Sequence, residues 1–92
     1  MDAPQGPSGP LIEYPTDYPF KVIGLAADDL EAHVRATVAA AVPGIALQGS
    51  SVRASGGGKY LSVTVDARLA SEDQRAAVYR ALAADPRVVH YL

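Results

Sequence analysis

The stretch SGGGKYLSVTVDARL, residues 55–69, joins three consecutive glycines to a strictly alternating segment. From Lys59 onward, Leu61, Val63, Val65 and Ala67 fall on one side of an extended chain, and Tyr60, Ser62, Thr64 and Asp66 on the other. A period of two with one apolar side is the pattern of a half-buried antiparallel strand. The glycines ahead of it turn the chain, so the weaker extended run ALQGSSVRA at 46–54 reads as the other arm of a hairpin. Gly49 within that run predicts a bulge or an edge strand.

Upstream, FKVIGLA at 20–26 has a β-branched and aromatic centre and reads as the first strand, with Phe20, Val22 and Gly24 toward the core and Lys21 toward solvent. Asp28 or Asp29 can then cap a helix whose apolar stripe is Leu30, Val34, Val38 and Val42, stopped by Pro43 and Gly44. Downstream of the alternating strand, SEDQ at 71–74 is a capping box. It opens a second helix with Val78 and Leu82 buried and Tyr79 at the stripe's edge, ended by Asp85 and Pro86. RVVHYL at 87–92 is the last strand, and alternation alone leaves its register open.

Strand, helix, strand, strand, helix, strand predicts an α+β, ferredoxin-like βαββαβ sandwich with an antiparallel sheet in the order 4-1-3-2. Each helix has a single apolar stripe, so both must lie on one face and leave the other open. The 92 residues suffice for one domain, here 11–92. MDAPQGPSGP, residues 1–10, has the composition of a flexible leader. Pro15 and Pro19 hold Tyr14 and Tyr18 extended, and these tyrosines are expected to pin the leader to the domain.

The chain has no cysteine, which removes disulfides, thiolate metal sites and thiol nucleophiles together and suits a reducing cytoplasm. A net charge of −2 supplies no basic field for nucleic acid. No apolar stretch approaches the ~18 residues of a membrane span, and no signal-peptide pattern precedes the domain.

Two readings of the glycine cluster stand side by side. Glycines accept positive φ and turn the chain; consecutive N–H groups can also form an anion nest, reinforced by Arg53 and Lys59 at its ends. A P-loop is excluded, because Arg53 occupies the position of its first glycine and Tyr60 the position of its metal-binding hydroxyl.

The segments YPTDYPFKVIG, RASGGGKYLSVTV and VYRALAADPRVVHYL resemble, in order and separation, those of the YbeD-like family of small uncharacterised bacterial proteins. The resemblance implies the same βαββαβ architecture, similar to ACT-type regulatory domains, a cytoplasmic location and no established enzymatic activity. It also implies a second lysine in the turn, in an S-S-K-G-K-Y pattern, where this chain has Gly57. Half the positive charge of that turn is therefore missing here.

Enzymatic readings lack their residues. An acylphosphatase-like site needs an arginine in the loop after the first strand, and that loop reads GLAADD. His33, on an exposed helix face, and His90, in the terminal strand, offer no metal spacing and no carboxylate or nucleophile partner in sequence. An RNA-recognition module needs exposed aromatics on both central strands, and Tyr60 alone qualifies. The expectation is thus a non-enzymatic regulatory or protein-interaction module without cofactor or metal, binding a protein partner or small ligand. Candidate contact residues are Lys21, Ile23, Gly24, Arg53, Ser55, Gly58, Lys59 and Tyr60. One alternative is a metabolite-anion-binding accessory of an acyl or lipoate pathway using Arg53 and Lys59; another is the RNA-binding module. If Val89 and Tyr91 point outward they join Ile23 in an apolar patch, and a second copy could cover it as a homodimer.

Overall fold

A computed structural model describes residues 12–92. The elements run β1 Thr16–Leu25, α1 Leu30–Ala41, β2 Ala46–Ser55, β3 Tyr60–Leu69, α2 Glu72–Ala84 and β4 Val88–Tyr91. All strand pairs are antiparallel, and the sheet order is β2-β3-β1-β4, which read from the β4 edge is 4-1-3-2. The leader expected over residues 1–10 lies outside the described residues.

The first strand begins at Thr16, four residues before the expected Phe20, because Thr16 through Pro19 continue an unbroken ladder with Leu69 through Asp66. Pro19 lacks an N–H, yet it sits in the strand without loss. β4 pairs only with Val22, Ile23 and Gly24, so among the described residues β1 has a neighbour on one side alone at Pro19.

Phe20 and Val22 of β1, Val63 and Val65 of β3, Leu30, Val34 and Val38 of α1, and Val78 of α2 are completely buried, with Leu82 nearly so. Each such side chain contributes about 1.5–3 kcal/mol of transfer free energy, which is why the stripes read from the sequence lie on one layer boundary. Ser71 caps α2 as expected, its hydroxyl accepting from the Gln74 N–H at 3.3 Å. The returning Gln74 carboxamide takes the Ala70 N–H at 2.7 Å, one residue earlier than a capping box predicts.

At α1 the expected aspartate cap is absent. Asp29 occupies the N-cap position without a side-chain cap bond. Its carboxylate instead receives both terminal nitrogens of Arg87, at 2.8 and 3.2 Å, tying the β1–α1 loop to the α2–β4 loop. The planar guanidinium fork matches a carboxylate better than one backbone N–H does.

Gly49 marks a bulge and an edge at once. The β2–β3 register shifts between Leu47 and Ser50, and β2 closes the sheet on its outer side.

Candidate functional site

The face of the sheet away from the helices carries the candidate site, and the ladders fix who stands beside whom. Residues paired across antiparallel strands point to the same side. Three rows therefore cross the open face: Ser51–Thr64–Lys21, Arg53–Ser62–Ile23–His90 and Ser55–Tyr60–Leu25. Five of these residues, Lys21, Ser51, Arg53, Ser62 and Thr64, line a depression of about 200 Å³. No carboxylate pairs with Lys21 or Arg53 among the described residues; the cations so engaged are Arg68, Arg75 and Arg87, and His33 lies against Asp85. Asp66 stands one row further on, across from Pro19.

The candidates from the sequence divide between three places. Lys21, Ile23, Arg53, Ser55 and Tyr60 share the open face. Gly58 and Lys59 belong to the turn, and Gly24 faces the helices. Arg53 meets Lys21 across the depression, whereas the Lys59 ammonium lies 5.6 Å from the Tyr60 ring centroid and does not line the depression. The sequence pairs Arg53 with Lys59 because they stand at the two ends of the glycine cluster; the register across three strands pairs it with Lys21 instead.

The turn itself shows why glycine is required. Gly56, Gly57 and Gly58 form one 3-10 turn with φ of +60°, +69° and +89°, values L side chains rarely adopt. A Cβ on Gly56 would lie 2.9 Å from Cδ2 of Tyr60. The Lys59 N–H donates to the Gly56 carbonyl at 3.3 Å, so the turn closes on its own backbone.

Gly24 has a packing role. A Cβ there would lie 2.7 Å from the carbonyl oxygen of Arg87 and 3.2 Å from Leu30. The closest neighbour is thus the α2–β4 loop, with the expected helix second.

The last strand resolves its register by a bulge. Val88 pairs with Gly24, His90 with Ile23 and Tyr91 with Val22, so His90 points to the open face and Tyr91 to the helices. Tyr91 packs against Tyr79 at 5.7 Å between ring centroids. The apolar patch that required Val89 and Tyr91 to point outward together with Ile23 does not form.

Two polar clusters escaped the sequence reading. His33 has a carboxylate partner after all: its Nε2 is 2.6 Å from Asp85 Oδ2, which also accepts from the Thr37 hydroxyl at 3.0 Å. Burial alone would raise the Asp85 pKa, but bonds from the Arg87 N–H, His33 and Thr37 outweigh it and hold the carboxyl below its ordinary value. Toward the other end of α2, Tyr79 donates to the Leu92 carbonyl at 2.9 Å, and its oxygen shares a second hydrogen bond of 2.9 Å with the Tyr18 hydroxyl. Burial, with the Tyr18 hydrogen bond second, pushes the Tyr79 pKa well up. Arg75 lies over both rings, 5.2 Å from each centroid, and Tyr14 donates to Glu72 at 2.6 Å. Tyr14 and Tyr18 thus fasten the segment entering β1 to α2, while the leader they were expected to pin lies outside the described residues.

Comparison with known proteins agrees with this architecture. A UPF0250 protein of Ralstonia nicotianae is 41% identical over 91 residues, covering 95% of this chain and 94% of its own. A UPF0250 protein of Janthinobacterium is 40% identical over 86 residues, with 94% of each chain covered. The solution structure of protein HP0495 from Helicobacter pylori superposes with a TM-score of 0.71 over 100% of this chain and 97% of that one. At 20% identity that match speaks to the fold alone. The family model described as "Protein of unknown function (DUF493)" matches residues 9–92, and the chain belongs to that family.

Proposed function

We propose that this chain is a non-catalytic binding module, regulatory or adaptor in role, that seats an anionic group of its partner between Lys21 and Arg53. The observation that carries this reading is the convergence of those two cations with three hydroxyls around one depression, with no carboxylate on either cation among the described residues. A guanidinium offers a planar fork and an ammonium a point charge, while Ser51, Ser62 and Thr64 can each donate an O–H; together they match a carboxylate or phosphate. Lys21 takes the part the sequence reading gave to Lys59.

The same residues argue against hydrolysis or group transfer. The depression contains hydroxyls but neither histidine nor carboxylate to activate them. His90 stands beyond Ile23, two strand spacings or about 10 Å from Ser62 between backbones. No group of three His, Cys, Asp or Glu residues converges among the described residues. For RNA, the open face offers Tyr60 without a second aromatic from β1, whose residues there are Asp17, Pro19, Lys21, Ile23 and Leu25. The depression itself holds two cations and no carboxylate, so an acidic partner fits it better than a second copy of the same depression. No helix among the described residues is long and apolar enough to cross a membrane. A cysteine-free chain suits a cytoplasmic setting for this role.

The test is to titrate the full chain with inorganic phosphate and with glutarate while following backbone amide signals. Shifts should concentrate at Lys21, Ser51, Arg53, Ser62 and Thr64 and vanish in Lys21→Ala/Arg53→Ala, whose Tm should stay within a few degrees of the parent. Shifts spread evenly over the surface cations, or retained in the double variant, would overturn the reading.

A further inference from the structure

β2 is an edge strand whose two halves differ. Around the bulge, the Gln48 carbonyl accepts from Arg35 at 2.8 Å, the Ser50 hydroxyl is held by Arg35 and Glu31, and the Gln48 carboxamide donates to Asp17 at 3.0 Å. That half is closed by its own neighbours. Beyond it, Ser51, Val52, Arg53 and Ala54 are all exposed, followed by the half-buried Ser55. Val52 pairs with the buried Val63 and so faces the helix side, yet it remains 43% exposed because neither helix reaches it.

Among the described residues nothing pairs with the outer side of this half, which keeps a regular register after the bulge and presents its outward N–H and C=O groups. Its side chains alternate in a way that specifies a neighbour. Ser51, Arg53 and Ser55 line the open face beside the cation pair, and Val52 and Ala54 line the helix face. None of the ten residues of β2 carries a negative charge. A second β2 would therefore set arginine near arginine without a compensating carboxylate. A strand with carboxylates on one side and small apolar residues on the other would match both faces at once.

We infer that Ser51–Ser55 is a docking edge for an extended acidic polypeptide segment of alternating acidic and apolar residues, which adds to the sheet as a fifth strand. The inference rests on the anion seat proposed above and deepens it: the anionic group is a side-chain carboxylate delivered by a strand, and main-chain bonds to β2 set its register. Arg53 then orients the carboxylate, and Val52 gains the cover that the helices leave off.

The experiment uses the full chain and the blocked peptide acetyl-Glu-Val-Glu-Val-Glu-amide, with amide hydrogen exchange read residue by residue. The peptide should slow exchange at alternate amides within Ser51–Ser55 and shift the Lys21 and Arg53 signals. Val52→Asn should weaken the peptide by about threefold, the scale of one cross-strand pair, and leave the phosphate response untouched. Arg53→Glu should weaken it tenfold or more. If the peptide shifts Lys21 and Arg53 but protects no β2 amide, the strand docking is wrong and the anion seat stands. If neither peptide nor phosphate perturbs Lys21 and Arg53, both fall. Protection along β2 by a second copy, with dimerisation at rising concentration, would also overturn the acidic strand as occupant.

Discussion

The imidazole of His33, in the first turn of α1, lies 2.6 Å from the carboxylate of Asp85, the residue that closes α2. Both helices pack on the same side of one sheet, and this contact fixes the start of one against the end of the other. With Thr37 and the Arg87 N–H, it gives Asp85 a partner for each oxygen while its side chain is only 8% exposed.

Asp85→Asn should lower stability near neutral pH by about 1–3 kcal/mol, the range for hydrogen bonds to a charged group, or several degrees in Tm. The Asp85 pKa is lower folded than unfolded. Its contribution is therefore full above the unfolded value and disappears as pH falls through the folded one. Thermal melts of parent and variant should differ most near neutrality and converge in strong acid. A difference that stays constant down to strong acid would contradict the charged role.

Gly24→Ala should destabilise the domain by about 1–3 kcal/mol, because the new methyl meets a backbone carbonyl that cannot swing aside. The loss should appear in the Tm and in faster amide exchange at Val88 to Tyr91, which this contact positions.

Within the glycine turn, Gly56→Ala should cost more than Gly57→Ala. Both positions have positive φ, worth about 1–2 kcal/mol to an L residue, but Gly56 also meets Tyr60 at 2.9 Å whereas Gly57 meets nothing. Paired denaturant melts measure the order; equal losses would show that the Tyr60 ring yields freely.

Val63→Asp should unfold the chain, since it buries an unpaired charge at a fully buried site, at a cost of several kcal/mol against a total of ~5–15. Thr64→Asp, one residue on, should fold and melt near the parent, because it faces the open side opposite Lys21. It should also blunt phosphate binding by supplying that lysine with an internal carboxylate. Folding lost in both would mean that the open face is covered.

Periodicity made the layers legible: the alternation from Leu61 to Ala67 and the stripes Leu30–Val42 and Val78–Leu82 each name a buried side, and Gly49 announced the bulge. What could not be read were relations that need register. Lys21 joins Arg53 only because Thr64 and Ser62 stand between them in the ladders. His33 finds Asp85 across 52 residues through helix packing, which no local spacing encodes. The outward turn of His90 follows from a bulge between Ile23 and Gly24, and nothing in RVVHYL signals it.

The most direct measurement exchanges the charges at the seat. Binding of the parent and of Lys21→Glu/Arg53→Glu to two fluorescent pentapeptides, one acidic and one with lysine in place of each glutamate, gives four affinities. The parent should prefer the acidic probe by tenfold or more and lose that preference as salt rises; the reversed chain should prefer the basic probe. Equal preference for the acidic probe in both chains would contradict an anion seat between Lys21 and Arg53.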